Sequence, residues 1–245
     1  MSVKTTLFYS PNFNLKKRKK KEIKFLIYHY TGMRNENISI KRLTQIQSEV
    51  SCHYFIRKNG EIISMVPDYY SAWHAGVSEW GKYKSLNKNS IGIELSNPGH
   101  EYGYVNFTKK QIKSLIKISS YLINKFSIKK NFILGHSDIA PDRKIDPGEK
   151  FPWKYLSSKK IGIWHKLDDK KLYLLRNKKV SKKTSYLFLK YLKKFGYPNK
   201  SKIIKNKKKF INLVTKSFQR RYRPQLINGK IDKECIEILN KLINI

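Results

Sequence analysis

Residues 135–148 gather an imidazole, an ammonium and a carboxylate in one short segment: His136, Lys144 and Asp146. The segment follows an apolar run at 131–134 and is punctuated by Gly135, Pro141, Pro147 and Gly148. Prolines fix φ and glycines admit tight turns, so this is a stiffened loop. Such a loop suits three side chains that must converge on one point. Imidazole nitrogen and carboxylate oxygen are both zinc ligands, and a catalytic zinc site takes three protein ligands and keeps a fourth position for water. Asp138, in the same loop, is a second carboxylate candidate, although its place after His136 also suits it to capping the turn there.

The third ligand is expected from a rigid element. Residues 23–30 read as a buried strand, rich in β-branched and aromatic residues and closed by Gly32, with His29 at its C-terminal end. A second strand at 90–95 carries Glu94 between Ile93 and Leu95. Alternation turns Glu94 to the face opposite both neighbours, where it can serve as a general base if that face lines the pocket. The stem of Lys144 is long enough to bring its ammonium to the same place, where it can stabilise an oxyanion. Taken singly, each of these residues has a bland alternative: a strand-end histidine satisfied by backbone, a carboxylate at a sheet edge, one more surface lysine. Their joint placement favours chemistry.

Five pieces recur in order: Tyr28-His29-Tyr30-Thr31-Gly32-Met33, Ser51-Cys52-His53-Tyr54, Trp73-His74-Ala75-Gly76, Ile91-Gly92-Ile93-Glu94-Leu95 and the His136–Asp146 loop. Together they resemble the bacterial zinc-dependent N-acetylmuramoyl-L-alanine amidases, which share their fold with the peptidoglycan-recognition proteins. The resemblance covers roughly residues 8 to 156. It implies a zinc ion on His29, His136 and Asp146, with Glu94 and Lys144 catalytic, and hydrolysis of the amide between N-acetylmuramic acid and L-alanine in peptidoglycan or its muropeptide fragments. Trp73 and His74 are candidates for substrate contact at the rim of the cleft. His53, inside a strand, is expected to be structural, and neither His100 nor His165 is given a role. Non-catalytic relatives that bind muropeptide lack a complete metal set, which argues against a pure binding module here.

The frame for these residues is an α/β fold: a mixed central β-sheet flanked by helices, followed by a small all-α module. Strands are expected at 23–30, 52–57, 61–66, 90–95 and 131–134, with Asn59-Gly60 marking a hairpin. Ser39 is expected to cap a helix through about Ser48. Thr108 opens a helix whose apolar stripe, Ile112, Leu115, Ile116, Ile123 and Phe126, faces the core. The division expected is an N-terminal arm (1–22), a zinc amidase domain (23–156), a connector (157–180) and a helical unit (181–245). That unit resembles the small peptidoglycan-binding module through Phe218-Gln219 and Gly229-Lys230-Ile231-Asp232, with helices near 182–195, 207–221 and 232–243. In this reading Asp232 caps the last helix. Arg221, Tyr222 and Arg223 either meet a carboxylated glycan or form an exposed helix end. The unit is expected to be dispensable for the chemistry, since every catalytic candidate precedes Trp153.

Charge is the feature most open to misreading. The 245 residues hold 53 Lys and Arg against 17 Asp and Glu, a formal charge of +36. The excess is mostly lysine, runs along the whole chain and comes with many Ile, Asn and Tyr, so it reads first as a solvated surface set by composition bias. The functional alternative is attraction of an anionic partner, carboxylate-bearing stem peptides ahead of nucleic acid or an anionic membrane surface. The run Lys16-Lys17-Arg18-Lys19-Lys20-Lys21 is read as a solvated block. Two cysteines, Cys52 and Cys235, make no disulfide framework, and Cys52 is expected to be a buried packing residue. No apolar run is long enough to span a membrane. No signal peptide is seen at the start, so a cytoplasmic location is expected, with a periplasmic or wall-associated one as the alternative.

Overall fold

The computed structural model describes residues 3–244. The main sheet has six strands in the order β1 (Thr6–Leu7), β5 (Ile62–Ser64), β4 (Tyr54–Ile56), β9 (Ser90–Leu95), β3 (Phe25–Tyr30) and β10 (Ile133–Gly135). β4, β9, β3 and β10 run parallel to one another, and β4–β5 is the antiparallel hairpin turned at Asn59-Gly60. Two small ribbons flank the sheet: β2 (Phe13–Asn14) with β6 (Ser71–Ala72), and β7 (Glu79–Trp80) with β8 (Tyr83–Lys84). The expected strands are all present, most of them trimmed by a residue or two at their ends.

Alternation sorts the two faces. Tyr28, Ile93 and Tyr54 share a register row and point to one side, where Tyr28 donates its hydroxyl to Ser119 of α2 (Lys109–Phe126) at 2.8 Å. Thr108 starts α2 with a reciprocal cap, its hydroxyl accepting from Gln111 N while Gln111 accepts from Thr108 N, both at 3.0 Å. His29, Glu94 and Phe55 form the next row and point to the other side, toward α1 (Glu36–Thr44). Ile40, Leu43, Cys52, Phe55, Ile63 and Met65 make a small second core there, so Cys52 is a packing residue. The helix begins earlier than expected. Asn35 caps it by accepting from Ile38 N at 2.9 Å, and Ser39 lies inside, bonded back to Asn35 O. Asparagine followed by Glu36 is the better N-terminal signal, and it outcompetes Ser39.

After β10 come α3 (His136–Ile139), α4 (Trp153–Ser158), α5 (Asp169–Leu175), α6 (Lys182–Phe195), α7 (Lys207–Tyr222) and α8 (Lys233–Ile243). Asp232 caps α8 by accepting from Cys235 N. Phe188, Phe218 and Ile238 of these helices belong to the same apolar cluster as Tyr28, Ile91 and Leu134 of the sheet. His165 lies in this packing, 1% exposed, with Nδ1 accepting from Leu167 N. Among the described residues no helix is long and apolar enough to cross a membrane.

Two expectations about cations fail. Arg18, inside the lysine run read as solvated, is 7% exposed and donates to the carbonyls of Asp68, Asn87 and Ser90 at 2.6–3.0 Å. A guanidinium fork can satisfy several carbonyls at once, which an ammonium cannot do with the same geometry. The N-terminal arm is thereby stitched to the sheet, helped by Ser10 and Asn12, both buried and bonded to the end of α1. Arg221, Tyr222 and Arg223 are 1–2% exposed and so are neither an exposed helix end nor placed to meet a glycan. Arg223 pairs with Asp232 and Glu234, and Arg221 with Asp138.

Candidate active site

The parallel strands deliver the chemistry at their C-terminal ends, the usual place for ligands in such sheets. His29 and Glu94 are register partners on adjacent strands and point to one face. β10 ends at Gly135, beside Tyr28, so His136 enters the same point from the neighbouring strand. Asp146 returns on the loop, held there by Ser137 N donating to Asp146 O at 2.9 Å. His29 Nδ1, His136 Nδ1 and Asp146 Oδ2 are each 3.0 Å from the other two. All three residues are buried.

This triangle fits a metal ion. Ligands at about 2.0–2.1 Å in a tetrahedron stand about 3.3 Å apart, close to the separations found. The outer nitrogen of each imidazole is engaged elsewhere: His136 Nε2 donates to Ala75 O at 3.3 Å and His29 Nε2 faces His74 Nδ1 at 3.0 Å. Two lone pairs and a carboxylate oxygen therefore face one point. Asp138 is not available as a ligand. Its Oδ2 accepts from Gly135 N and from Arg221, and its Oδ1 accepts from Tyr197 at 2.6 Å. It holds the turn, as its position suggests.

Electrostatics agree with the geometry. Burial would raise the Asp146 carboxyl, but the imidazoles of His136 and His29 override it and hold it well below the usual carboxylate range. Burial lowers both His29 and His136, keeping them in the neutral form a metal requires. Glu94 is pushed up to about 7, chiefly by burial and further by Asp146, with His29 and Lys144 opposing. Glu94 Oε2 is closed off from solvent and has no hydrogen-bond partner among the described residues. Lys144 lines the same cleft, is partly exposed and makes no ion pair among the described residues.

The cleft measures about 550 Å³ and runs between the site and α1, with Arg42 and Leu43 on its far wall. Trp73 and His74 both line it, Trp73 fixed by Nε1 donating to Asn14 at 2.5 Å. His53 lies wholly inside, with Nδ1 accepting from Gly92 N. His100, given no role from sequence, stands on the cleft wall between Tyr30 at 2.9 Å and Glu149 at 3.0 Å. Sequence reasoning also missed Arg143, whose guanidinium ties Ala75 O and Val77 O to the ligand loop at 2.6–2.8 Å. One missed position carried a signal: Gly92, a glycine inside an alternating strand, marks a close approach. A Cβ there would stand 2.4 Å from the His74 ring.

The helical unit reaches this site. Ser217 of α7 donates to Ser137 O at 2.6 Å, and Arg221 donates to Asp138 and to Ile133 O at 2.5–2.8 Å while stacking over Trp153. The turn that carries His136 is thus held from α7 as well as from β10.

An α/β sheet whose parallel strands and the loop after them bring two histidines, an aspartate and a half-buried glutamate to one cleft has the makings of a metal-assisted hydrolase. The family is shown by comparison: residues 19–149 match the N-acetylmuramoyl-L-alanine amidase model, and the chain belongs to that family. It is 34% identical to the N-acetylmuramoyl-L-alanine amidase AmiD of Escherichia coli, over 90% of this chain and 82% of AmiD. The structure of Escherichia coli AmiD with the substrate anhydro-N-acetylmuramic acid-L-Ala-D-γ-Glu-L-Lys aligns with a TM-score of 0.79 at 33% identity, covering 91% of this chain and 89% of that one. AmpDh3 of Pseudomonas aeruginosa, in complex with anhydromuramic pentapeptide, aligns with a TM-score of 0.78 at 27% identity, over 96% of each chain. The 1,6-anhydro-N-acetylmuramyl-L-alanine amidase AmpD of Haemophilus influenzae is 41% identical over 46% of this chain, a match that spans 61% of AmpD.

Proposed function

We infer that this protein hydrolyses the amide between N-acetylmuramic acid and L-alanine in peptidoglycan or in anhydromuropeptides released from it, using zinc held by His29, His136 and Asp146. The observation that carries the reading is the register pairing of His29 with Glu94, which sets a half-buried carboxylate, its Oε2 closed off and without a hydrogen-bond partner among the described residues, beside the ligand triangle. The family membership and the muropeptide-bound relatives support the substrate class. When bound, zinc supplies a water of lowered pKa and a Lewis acid for the scissile carbonyl. Glu94, raised to about 7 by burial, is poised to take a proton from that water and pass it to the leaving amine. Lys144 offers an ammonium to the oxyanion that forms. Trp73 borders the part of the cleft that receives the substrate. The basic surface steers a ligand whose stem peptide carries carboxylates.

The test is product analysis on purified anhydromuropeptide and on intact sacculi. Free stem peptide from either, lost on chelation and restored by zinc, is the expected result; unchanged substrate with zinc-loaded protein would refute the assignment. Glu94→Gln keeps shape and removes basicity. It should retain zinc and lose about a hundredfold or more in kcat, and the acid limb of the pH–rate profile should disappear with it. Wild-type turnover in this variant would remove Glu94 from the mechanism. Lys144→Ala should lower kcat strongly with zinc retained and KM little changed, because an oxyanion partner acts in the transition state. Arginine should not restore the rate, since a planar fork does not occupy the place of a compact ammonium. A Lys144→Ala enzyme with wild-type kcat would return this residue to the general lysine surface.

A further inference from the structure

His74 lies at the inner end of the cleft, and both of its ring nitrogens are committed inside the protein. Nδ1 stands 3.0 Å from His29 Nε2, and Nε2 stands 3.0 Å from Ser90 Oγ. Ser90 Oγ lies 2.6 Å from Leu86 O. The ring is 8% exposed, meets His29 edge to face and rests on Gly92, where any side chain would collide with it. Asn87 Oδ1 fixes the backbone beneath it by accepting from His74 N and Ala75 N at 3.1 and 2.7 Å.

The proton directions along this chain follow from its far end. A carbonyl oxygen only accepts, so Ser90 uses its single hydrogen on Leu86 O. Its lone pairs then face His74 Nε2, which must carry the proton. A neutral imidazole has one N–H, so His74 Nδ1 is an acceptor and His29 Nε2 must be the donor. That leaves the lone pair of His29 on Nδ1, the atom beside Asp146 and His136. With the opposite direction, two N–H groups would oppose each other in the row, or His29 would turn an N–H toward the ligand point.

We propose that His74 is a positioning residue: together with Ser90 and the Leu86 carbonyl it fixes the tautomer of His29, so that His29 offers Nδ1 to the metal before any metal arrives. The proposal rests on the metal reading given above. It assigns His74 a task other than touching substrate, which explains why the cleft reaches this ring although neither nitrogen is free. Outer-sphere partners of this kind change metal affinity by about 10- to 100-fold when removed.

Two measurements test it on the full chain. The first needs no variant: long-range ¹⁵N spectra of the metal-free wild-type protein should show His29 protonated at Nε2. A His29 protonated at Nδ1 overturns the proposal. The second is competition for zinc against a chromophoric chelator. Ser90→Ala, which removes one buried hydroxyl and leaves the ring in place, should weaken zinc about 10- to 100-fold and mix the His29 tautomers. His74→Asn, which keeps an acceptor for His29 Nε2, should bind zinc more tightly than His74→Leu. Equal zinc affinity in wild type and Ser90→Ala would sink the proposal while leaving the metal site intact. Failure of wild type itself to bind zinc would instead strike the metal reading, and the tautomer result would still decide the proton chain.

Discussion

Replacing Arg221 by leucine should cost about 3–5 kcal/mol of folding stability, although residue 221 lies far along the chain from the catalytic candidates. Arg221 and Asp138 are both almost wholly buried, and removing one partner of such a pair leaves the other charge uncompensated. Folded domains hold only about 5–15 kcal/mol in all, so the loss is a large share of the total. The carboxylate left behind also caps the turn of His136, with Tyr197 as its remaining side-chain partner. We therefore expect the variant's zinc affinity to fall with its stability. Denaturant unfolding of the metal-free protein measures the first effect and chelator competition the second. A loss below about 1 kcal/mol with normal zinc binding would show that α7 is an appendage. By the same contacts, a chain ended near residue 160 should not recover a normal metal site, because Ser217 and Arg221 leave with it and Trp153 loses its cover. This turns around the expectation that the helical unit is dispensable for the chemistry.

His136→Ala should remove both metal and activity. The three ligand atoms stand 3.0 Å apart, and two of them cannot complete a site that takes three protein ligands. Elemental analysis should find zinc at background, and hydrolysis of anhydromuropeptide should be undetectable. Added zinc should not rescue the variant, whereas it should rescue chelated wild type. Full zinc occupancy in the variant would reject this ligand set. Asp146 gives a further reading of the same experiment. Two imidazoles hold its carboxyl low against the effect of burial, so with His136 gone it should take up a proton at a higher pH.

The sequence was most legible where one residue type and one period suffice. The apolar stripe of α2 and its start at Thr108 need only local information, and that helix, like α6 over Lys182–Phe195, appears where expected. The ligand candidates were legible because a histidine at a strand end and a turn-rich loop are both visible in a row of letters. Burial of cations was not. Arg18 sits among lysines, and what separates it from them is a set of carbonyls at Asp68, Asn87 and Ser90, brought to it by the fold. Arg221 likewise finds Asp138 across 83 residues. His74 was visible as a residue of interest, but its surroundings were not. Whether an imidazole near a cleft faces outward or leans on Gly92 is decided by a strand that precedes neither its own segment nor its own turn.

The bracing of the His136 turn by α7 also has a consequence for how the molecule is made. Synthesis is directional, and sheet and ligand loop emerge from the ribosome before α7 does. Until residues 217 and 221 follow, Asp138 lacks its guanidinium and Ser137 lacks its hydroxyl donor. The nascent chain can therefore build its sheet early, but the ligand turn gains its full support only late. Metal acquisition should accordingly be a late event in the life of the polypeptide, and a ribosome stalled before α7 should hold a sheet with an unbraced ligand turn.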